Sequence, residues 1–526
     1  MEHGTLQEPK PLTLPPSTEA APPKTDLGEL KRKSVRGGLT TIASQGANTF
    51  IQLCSTVVLA RLLAPADYGI MAMVTTITAF AGLFSDLGLS TAVIRKKDLT
   101  QAQQNTMFWL NVAMGLALTI TVVLISPIVA WFYQKPEVLW VTVALSATFL
   151  IGSFGTQHGA LLVREMQFGR LVLSNVSGAL TGLVVSITLA NAGYGYWSLV
   201  WGTVCTTTCS TILLNIVSPF RPGLPSRGTG VRDMLKFGAH VTAFDFVNYF
   251  ARNLDNVLIG RFSGTVALGL YSRGYSLLMF PITNLRGPIN AVALPAMSKL
   301  QNDPDAFRAY YRKITSVLAF LSMPLTAFFF VASTPIIELA LGRQWLGVVP
   351  IFSILATVGF IQPVMTNWGV VVLSLGNSKR YLQGGMWYTL SSILGFLAGI
   401  PWGGTGVATG YAIATYLALY PILRLAFRGT PIRIRDFFQS VLTPAIASCI
   451  TVVAMTLMPD FYTGQSLIFN LLSLAAVFAS IYAFCFILIP GGLRTALSHL
   501  QLLQLTGRPK SGHASSSLHH PSPPKP

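Results

Sequence analysis

Charge is what this sequence has least of. Only 10% of its 526 residues are Asp, Glu, Lys or Arg, against about 25% in soluble globular proteins. That shortage argues against a chain folded in water. Acids are the scarcer sign, 18 against 36 Lys and Arg, for a formal charge of +18. The basic excess does not point to nucleic acid, because no basic run is interleaved with aromatic platforms for bases. The five cysteines, Cys54, Cys205, Cys209, Cys449 and Cys485, all fall within apolar stretches. They read as small buried hydrophobes, which leaves no disulfide framework and no cysteine metal site. There is no HExxH, CxxC, nucleophile elbow or P-loop. Asp303-Pro304-Asp305 has no soluble domain around it, and His513, His519 and His520 sit in a polar tail. The expectation is a protein that is not an enzyme and uses no cofactor and no metal.

Long apolar stretches, in contrast, are plentiful, in a chain that is 52% hydrophobic. A bilayer crossing takes about 20 mostly apolar residues. Blocks of that kind occupy roughly 37–63, 69–94, 106–132, 138–162, 171–192, 196–217, 233–259, 266–296, 314–341, 347–375, 381–401, 405–427, 437–458 and 466–489. Alternate joints between them are basic: Lys31, Arg32, Lys33 and Arg36; Arg95, Lys96 and Lys97; Arg164 and Arg170; Arg221, Arg227, Arg232 and Lys236; Lys299, Arg308, Arg312 and Lys313; Lys379 and Arg380; Arg424, Arg428, Arg433 and Arg435. The intervening joints carry only Arg61, Lys135, Arg261 and Arg343. Cytoplasmic loops collect Lys and Arg, so this bias places both termini in the cytoplasm. Residues 1–30, rich in Pro, Thr, Glu and Lys, read as a disordered cytoplasmic tail, and 491–526, rich in Ser, His and Pro after about Leu505, as a second cytoplasmic tail.

The sequence repeats itself. Arg36 and Lys236, Asn48 and Asn248, Arg61 and Arg261, and Gly69 and Gly269 are each 200 positions apart. Further on, Phe168-Gly169-Arg170-Leu171 echoes Ser378-Lys379-Arg380-Tyr381 at a spacing of 210. The fold class expected is therefore an all-α integral membrane protein of about fourteen transmembrane helices. Two six-helix pseudo-repeat lobes, 31–217 and 218–427, would be followed by two C-terminal helices within 428–490. Both lobes start from the same side, and substrate is expected where they face one another.

Polar residues inside the blocks are the candidate site, because a charge at mid-bilayer costs at least about 2.5–3.5 kcal/mol and usually faces a cavity or a partner. Asp245, Asn248, Arg252 and Asp255 recur at helical spacing on one face. Their repeat equivalents are Gln45, Asn48, Gln52 and Ser55. Either a cavity or interhelical hydrogen bonding would account for that neutral stripe. Arg273 and Arg286 lie in the next block, among Pro281, Pro288 and Pro295, which would bend their helix. Arg286 is the repeat counterpart of Asp86, so a structural ion pair there is open. Glu338 completes the acids. His158 and His240 are single histidines, open to core packing or proton relay. Gly403, Gly404, Gly406 and Gly410 follow no strand and fit close helix packing better than a phosphate cradle.

Five stretches carry a family resemblance. The runs Arg252 to Phe262, Leu268 to Arg273 and Leu294 to Ser298, with Ala60 to Gly69 and Phe84 to Leu89, resemble Wzx-like polysaccharide/O-antigen flippases. These belong to the polysaccharide transporter family of the MOP superfamily and are often called lipopolysaccharide biosynthesis proteins. The resemblance covers roughly residues 30–490. It implies a V-shaped pair of lobes in the bacterial inner membrane. These would flip a polyprenyl-diphosphate-linked oligosaccharide from the cytoplasmic to the periplasmic leaflet for cell-surface polysaccharide biosynthesis. Lipid-linked oligosaccharide and membrane lipids are then the partners, with a polysaccharide polymerase and a chain-length regulator as further candidates. Arg252, Arg273 and Arg286 would receive the diphosphate, since the planar guanidinium stays charged and donates several hydrogen bonds. Asn48, Asn248, Gln45 and Gln52 would line the cavity, and Asp86, Asp245, Asp255 and Glu338 are candidates for ion coupling. The alternatives are a cation-coupled multidrug or metabolite antiporter of the same superfamily, or a membrane polymerase or ligase. The joints are too short for the loop such an enzyme needs.

Overall fold

The computed structural model describes residues 27–86, 88–95, 98–226, 249, 253–458, 466–490 and 492. Asp245, Asn248, Arg252 and His240 lie outside that set. The described residues form helices joined by short turns, with no strand among them. In chain order the helices are α1 (Leu27–Leu62), α2 (Pro65–Gly82), α3 (Leu89–Arg95), α4 (Gln101–Tyr133), α5 (Glu137–Arg164), α6 (Phe168–Asn191) and α7 (Tyr196–Val217). A helix over 253–262, α8, follows. Then come α9 (Gly264–Lys299), α10 (Pro304–Val331), α11 (Ser333–Ala340), a 3₁₀ turn (Arg343–Val348), α12 (Val349–Met365) and α13 (Trp368–Ser374). The last are α14 (Ser378–Gly399), α15 (Gly403–Phe427), α16 (Ile434–Leu457) and α17 (Leu467–Leu488).

Local sequence starts these helices where the apolar runs require. Thr100 and Gln103 exchange side-chain and backbone hydrogen bonds at the head of α4, a reciprocal cap that serves two donors otherwise left open. Asp303 accepts from the Ala306 N–H to open α10. Pro65 stands in the first turn of α2, where the Asp67 carboxylate accepts from the Ala64 N–H.

Large apolar side chains cover the outside. On α4, Leu124 is 70% and Trp131 79% exposed; in water, a belt of that kind would be an association surface. Here it faces lipid, and the chain is a multi-pass membrane protein. Nine helical segments among the described residues are long and apolar enough to cross a bilayer. One of them, Ser378–Phe427, folds back on itself as the α14–α15 hairpin. There Gly395 and Gly399 lie against the backbones of Gly410 and Gly406, so Gly406 and Gly410 do serve close packing. The helices α1, α2 and α9 fall outside the nine. Each carries polar residues on the face described below.

The repeat is visible at one crossing. A Cβ built on Gly69 would strike the carbonyl of Thr265, and one on Gly269 would strike the carbonyl of Pro65. Both pairs of positions are 200 apart, so α2 and α9 cross reciprocally, as surfaces do across a two-fold axis. Around this crossing one buried cluster takes Leu59, Leu63 and Met73 from the first half and Ile259, Leu268 and Trp345 from the second.

The end of the molecule where α1 finishes is shut. Gln344 Nε2 donates to the Ala60 and Leu63 carbonyls at 2.6 and 3.2 Å, and Trp345 Nε1 donates to Ala60 O at 2.7 Å. Arg61 Nη2 returns a hydrogen bond to Leu339 O at 2.8 Å. The last carbonyls of a helix lack partners of their own, and here the second half of the chain supplies donors to them. The charge bias of the joints predicts that this end faces outward, and it is termed the outer end below.

Candidate substrate cavity

Between the two halves lies a cavity of about 600 Å³. Ser55 and Thr56 of α1, Thr75 and Thr76 of α2, and Ser186, Thr203 and Thr206 of α6 and α7 supply the wall from the first half. Tyr249, Asn253 and Asn256, with Ser272 and Arg273 of α9, supply the other. Thr56 and Asn256 are repeat equivalents, so the same turn of the first helix of each repeat reaches the cavity.

Most of the hydroxyl protons are already used. Thr56, Thr75, Thr76, Thr203 and Thr206 each donate to the carbonyl four residues back, at 2.8 to 2.9 Å. A threonine bonded in this way keeps its oxygen lone pairs free. The wall is therefore mostly an acceptor surface, matched to a ligand rich in hydroxyl donors. Tyr249 crosses it, donating to Thr76 O at 2.5 Å, and its own carbonyl accepts from Asn253 Nδ2 at 3.0 Å.

Among the described residues that line the cavity, Arg273 is the only charged one. Its guanidinium carbon stands 4.5 Å from the centroid of the Tyr68 ring, a cation–π geometry. Its Nε is buried and has no hydrogen-bond partner among the described residues. A fixed cation with an unused donor, in a hydroxyl-lined cavity with no carboxylate among the described residues that line it, is equipped to hold an anion.

The other expected site residues are placed as follows. Asp255, next to Asn256 in the chain, turns away from the cavity. It is 5% exposed and accepts from the Tyr271 hydroxyl at 2.9 Å and the Asn256 N–H at 2.8 Å. Asp86 accepts from the Ser90 N–H and hydroxyl at the head of α3. Glu338 pairs with Arg343 Nε at 2.7 Å near the outer end. Gln45 and Gln52 are exposed and Asn48 is half-buried; none of the three lines the cavity. Arg286 is half-buried on α9, between Pro281 and Pro288. His158 sits between the rings of Phe108 and Phe220, at 6.0 and 5.3 Å. Among the described residues no cluster of His, Cys, Asp and Glu could hold a metal ion. Tyr68, Asn253, Asn256 and the threonine wall are absent from the sequence-based candidates. The pairs Thr75-Thr76 and Thr206-Thr207, inside apolar helices, are the signal that could have shown the wall.

With this geometry in hand, the relatives can be compared. Residues 58–350 match the family described as polysaccharide biosynthesis protein. The chain belongs to that family. Two characterised relatives of this polysaccharide biosynthesis protein are the lipopolysaccharide biosynthesis protein WzxC of Escherichia coli (strain K12) and the teichuronic acid biosynthesis protein TuaB of Bacillus subtilis (strain 168). WzxC is 26% identical over 66% of this chain and 70% of its own length. TuaB is 27% identical over 80% of this chain and 87% of its own. Among solved structures, the inward closed conformation of the lipid II flippase MurJ aligns with 89% of this chain and all of that one, at a TM-score of 0.68 and 14% identity. An inward-facing multidrug resistance MATE transporter of the MOP superfamily aligns with 78% of this chain and 96% of that one, at a TM-score of 0.54 and 14% identity. At such identities the likeness is one of fold alone.

Proposed function

We propose that this chain is a flippase that moves a polyprenyl-diphosphate-linked oligosaccharide across the membrane, with Arg273 receiving the diphosphate. The observation that carries this reading is the charge of the cavity: among the described residues that line it, one arginine, no carboxylate and a wall of hydroxyl acceptors. Sugar hydroxyls can donate to that wall while the guanidinium edge takes the phosphate oxygens. The family and the relatives, whose names place them in polysaccharide and cell-wall polymer biosynthesis, support the same substrate class. A multidrug antiporter for cations would want the opposite sign in the cavity.

Further parts of the proposal follow from the sequence. The lobes are 31–217 and 218–427, with 428–490 appended and both termini in the cytoplasm. The membrane is the bacterial inner membrane, and a polymerase and a chain-length regulator take the product. Arg252 and Arg286 are further diphosphate ligands, with Gln45, Asn48, Gln52 and Asn248 on the path. Asp255 is the strongest of the ion-coupling candidates, ahead of Asp86, Asp245 and Glu338, because it is buried beside the cavity.

The test is export in cells that lack the native protein. Arg273→Gln is expected to reach the membrane at the normal level while surface polysaccharide disappears, and Arg273→Lys is expected to restore little. Full export by a well-expressed Arg273→Gln variant sinks the reading.

A further inference from the structure

Tyr68 carries two loads. On its cavity side the ring face supports the Arg273 guanidinium at 4.5 Å. The Trp345 indole meets the same ring edge-to-face, with centroids 5.3 Å apart at 72°. That same indole donates through Nε1 to Ala60 O at 2.7 Å, in the set of hydrogen bonds that shuts the outer end. Tyr68 itself is 4% exposed and Trp345 is fully buried, so neither ring can shift unless the other does.

We infer that Tyr68 is a positioning residue that ties the affinity of Arg273 for an anion to the closure of the outer end. A guanidinium bound by its face to a ring keeps its edge donors available, because the two directions are separate. With Nε unpartnered among the described residues, the ring is what fixes that presentation. When the outer end opens, Trp345 leaves the end of α1, Tyr68 loses its backing and Arg273 loses its platform. Affinity falls as the outer end opens, and the ligand is released there. Binding linkage is reciprocal, so a bound anion in turn favours the shut outer end. This inference rests on the reading of Arg273 as the diphosphate site, and the test separates the two.

The probe is farnesyl diphosphate, titrated calorimetrically into the purified full-length chain. The wild type is expected to bind it and Arg273→Gln to lose it. Tyr68→Phe, which keeps the ring face, should bind as the wild type does. Tyr68→Leu and Gln344→Ala should each weaken binding by about fivefold or more. Gln344 is exposed and does not line the cavity, so it can act only through the closure. A second readout places nitroxides at Gln134→Cys and Thr405→Cys, both exposed at the outer end, after replacement of the five native cysteines. Farnesyl diphosphate should shift the distance between them to shorter values in the wild type and in Tyr68→Phe, but not in Tyr68→Leu. Should Tyr68→Leu fail to fold, Gln344→Ala and the shift in Tyr68→Phe decide the matter. Unchanged affinity in Gln344→Ala together with distances blind to the ligand overturns the coupling and leaves Arg273 as the anion site. Absence of binding to the wild type, or binding that survives Arg273→Gln, overturns both.

Discussion

Asp255 and Asn256 are neighbours in the chain with different tasks, and their separation shows how one residue step divides a site from its support. Asn256 lines the cavity, while Asp255 is sealed behind it against the Tyr271 hydroxyl. Removing a partner from a buried polar group costs about 1–3 kcal/mol. Tyr271→Phe should therefore lower the thermal midpoint of the solubilised protein. Asp255→Asn, which keeps an acceptor for Tyr271, should leave the folded yield near wild type. The hydroxyl wall makes a separate prediction. Thr203→Val removes one acceptor from the cavity without changing side-chain volume much, and Thr203 is not in the core. Loss of one neutral hydrogen bond, about 1 kcal/mol, should weaken binding of a saccharide-bearing ligand by about fivefold with normal membrane levels, measured as a dissociation constant. At this scale the sequence was half legible. Arg273 stood out because a cation inside an apolar block is rare. The threonines did not, because a hydroxyl bonded to its own helix adds little to the apparent polarity of the run. Tyr68 acquires its role only from three segments distant in the chain.

Among elements, the crossing of α2 and α9 makes the firmest prediction. At Gly69 and Gly269 two backbones touch with no side chain between them. Inserting atoms into a packed contact typically costs about 1–3 kcal/mol, and here the obstacle is backbone that cannot rotate away. Gly69→Ala and Gly269→Ala should each reduce the folded fraction recovered in detergent. Gly287→Ala, in the same helix α9 but with open space at its Cβ, should be neutral or gain up to about 1 kcal/mol. Equal recovery of all three variants would refute the contact. Sequence could find this pair because a crossing repeated in both halves leaves matching glycines in register. It could not set the depth of the cavity. The polar stripe of α1 was legible as a stripe, yet Ser55 and Thr56 line the cavity while Asn48 lies two turns further along, roughly 10 Å away at 1.5 Å per residue. Periodicity reports the face of a helix, whereas depth depends on where the neighbouring helices part.

For the whole molecule, composition was enough to give an all-α membrane protein, and joint charges predict its orientation. A reporter active only outside the cytoplasm, fused after Pro526, should stay silent, and the same reporter inserted between Lys135 and Pro136 should be active. The reverse pattern would invert the outer end. One consequence of the reciprocal glycine crossing reaches beyond mechanics. Contacts in which residue i meets j and j meets i belong to pairs of identical subunits. The crossing thus has the form of an interface between two copies of a half-length chain, now joined in one polypeptide. The two halves of one polypeptide are free to differ, and around the cavity they do. Where the second half has Arg273 and Asp255, the first has Met73 and Ser55. A symmetric ancestor would have carried both charges twice or not at all. Among the described residues, that difference sets Arg273 on one side of the cavity against a neutral wall on the other, and so gives the cavity a direction.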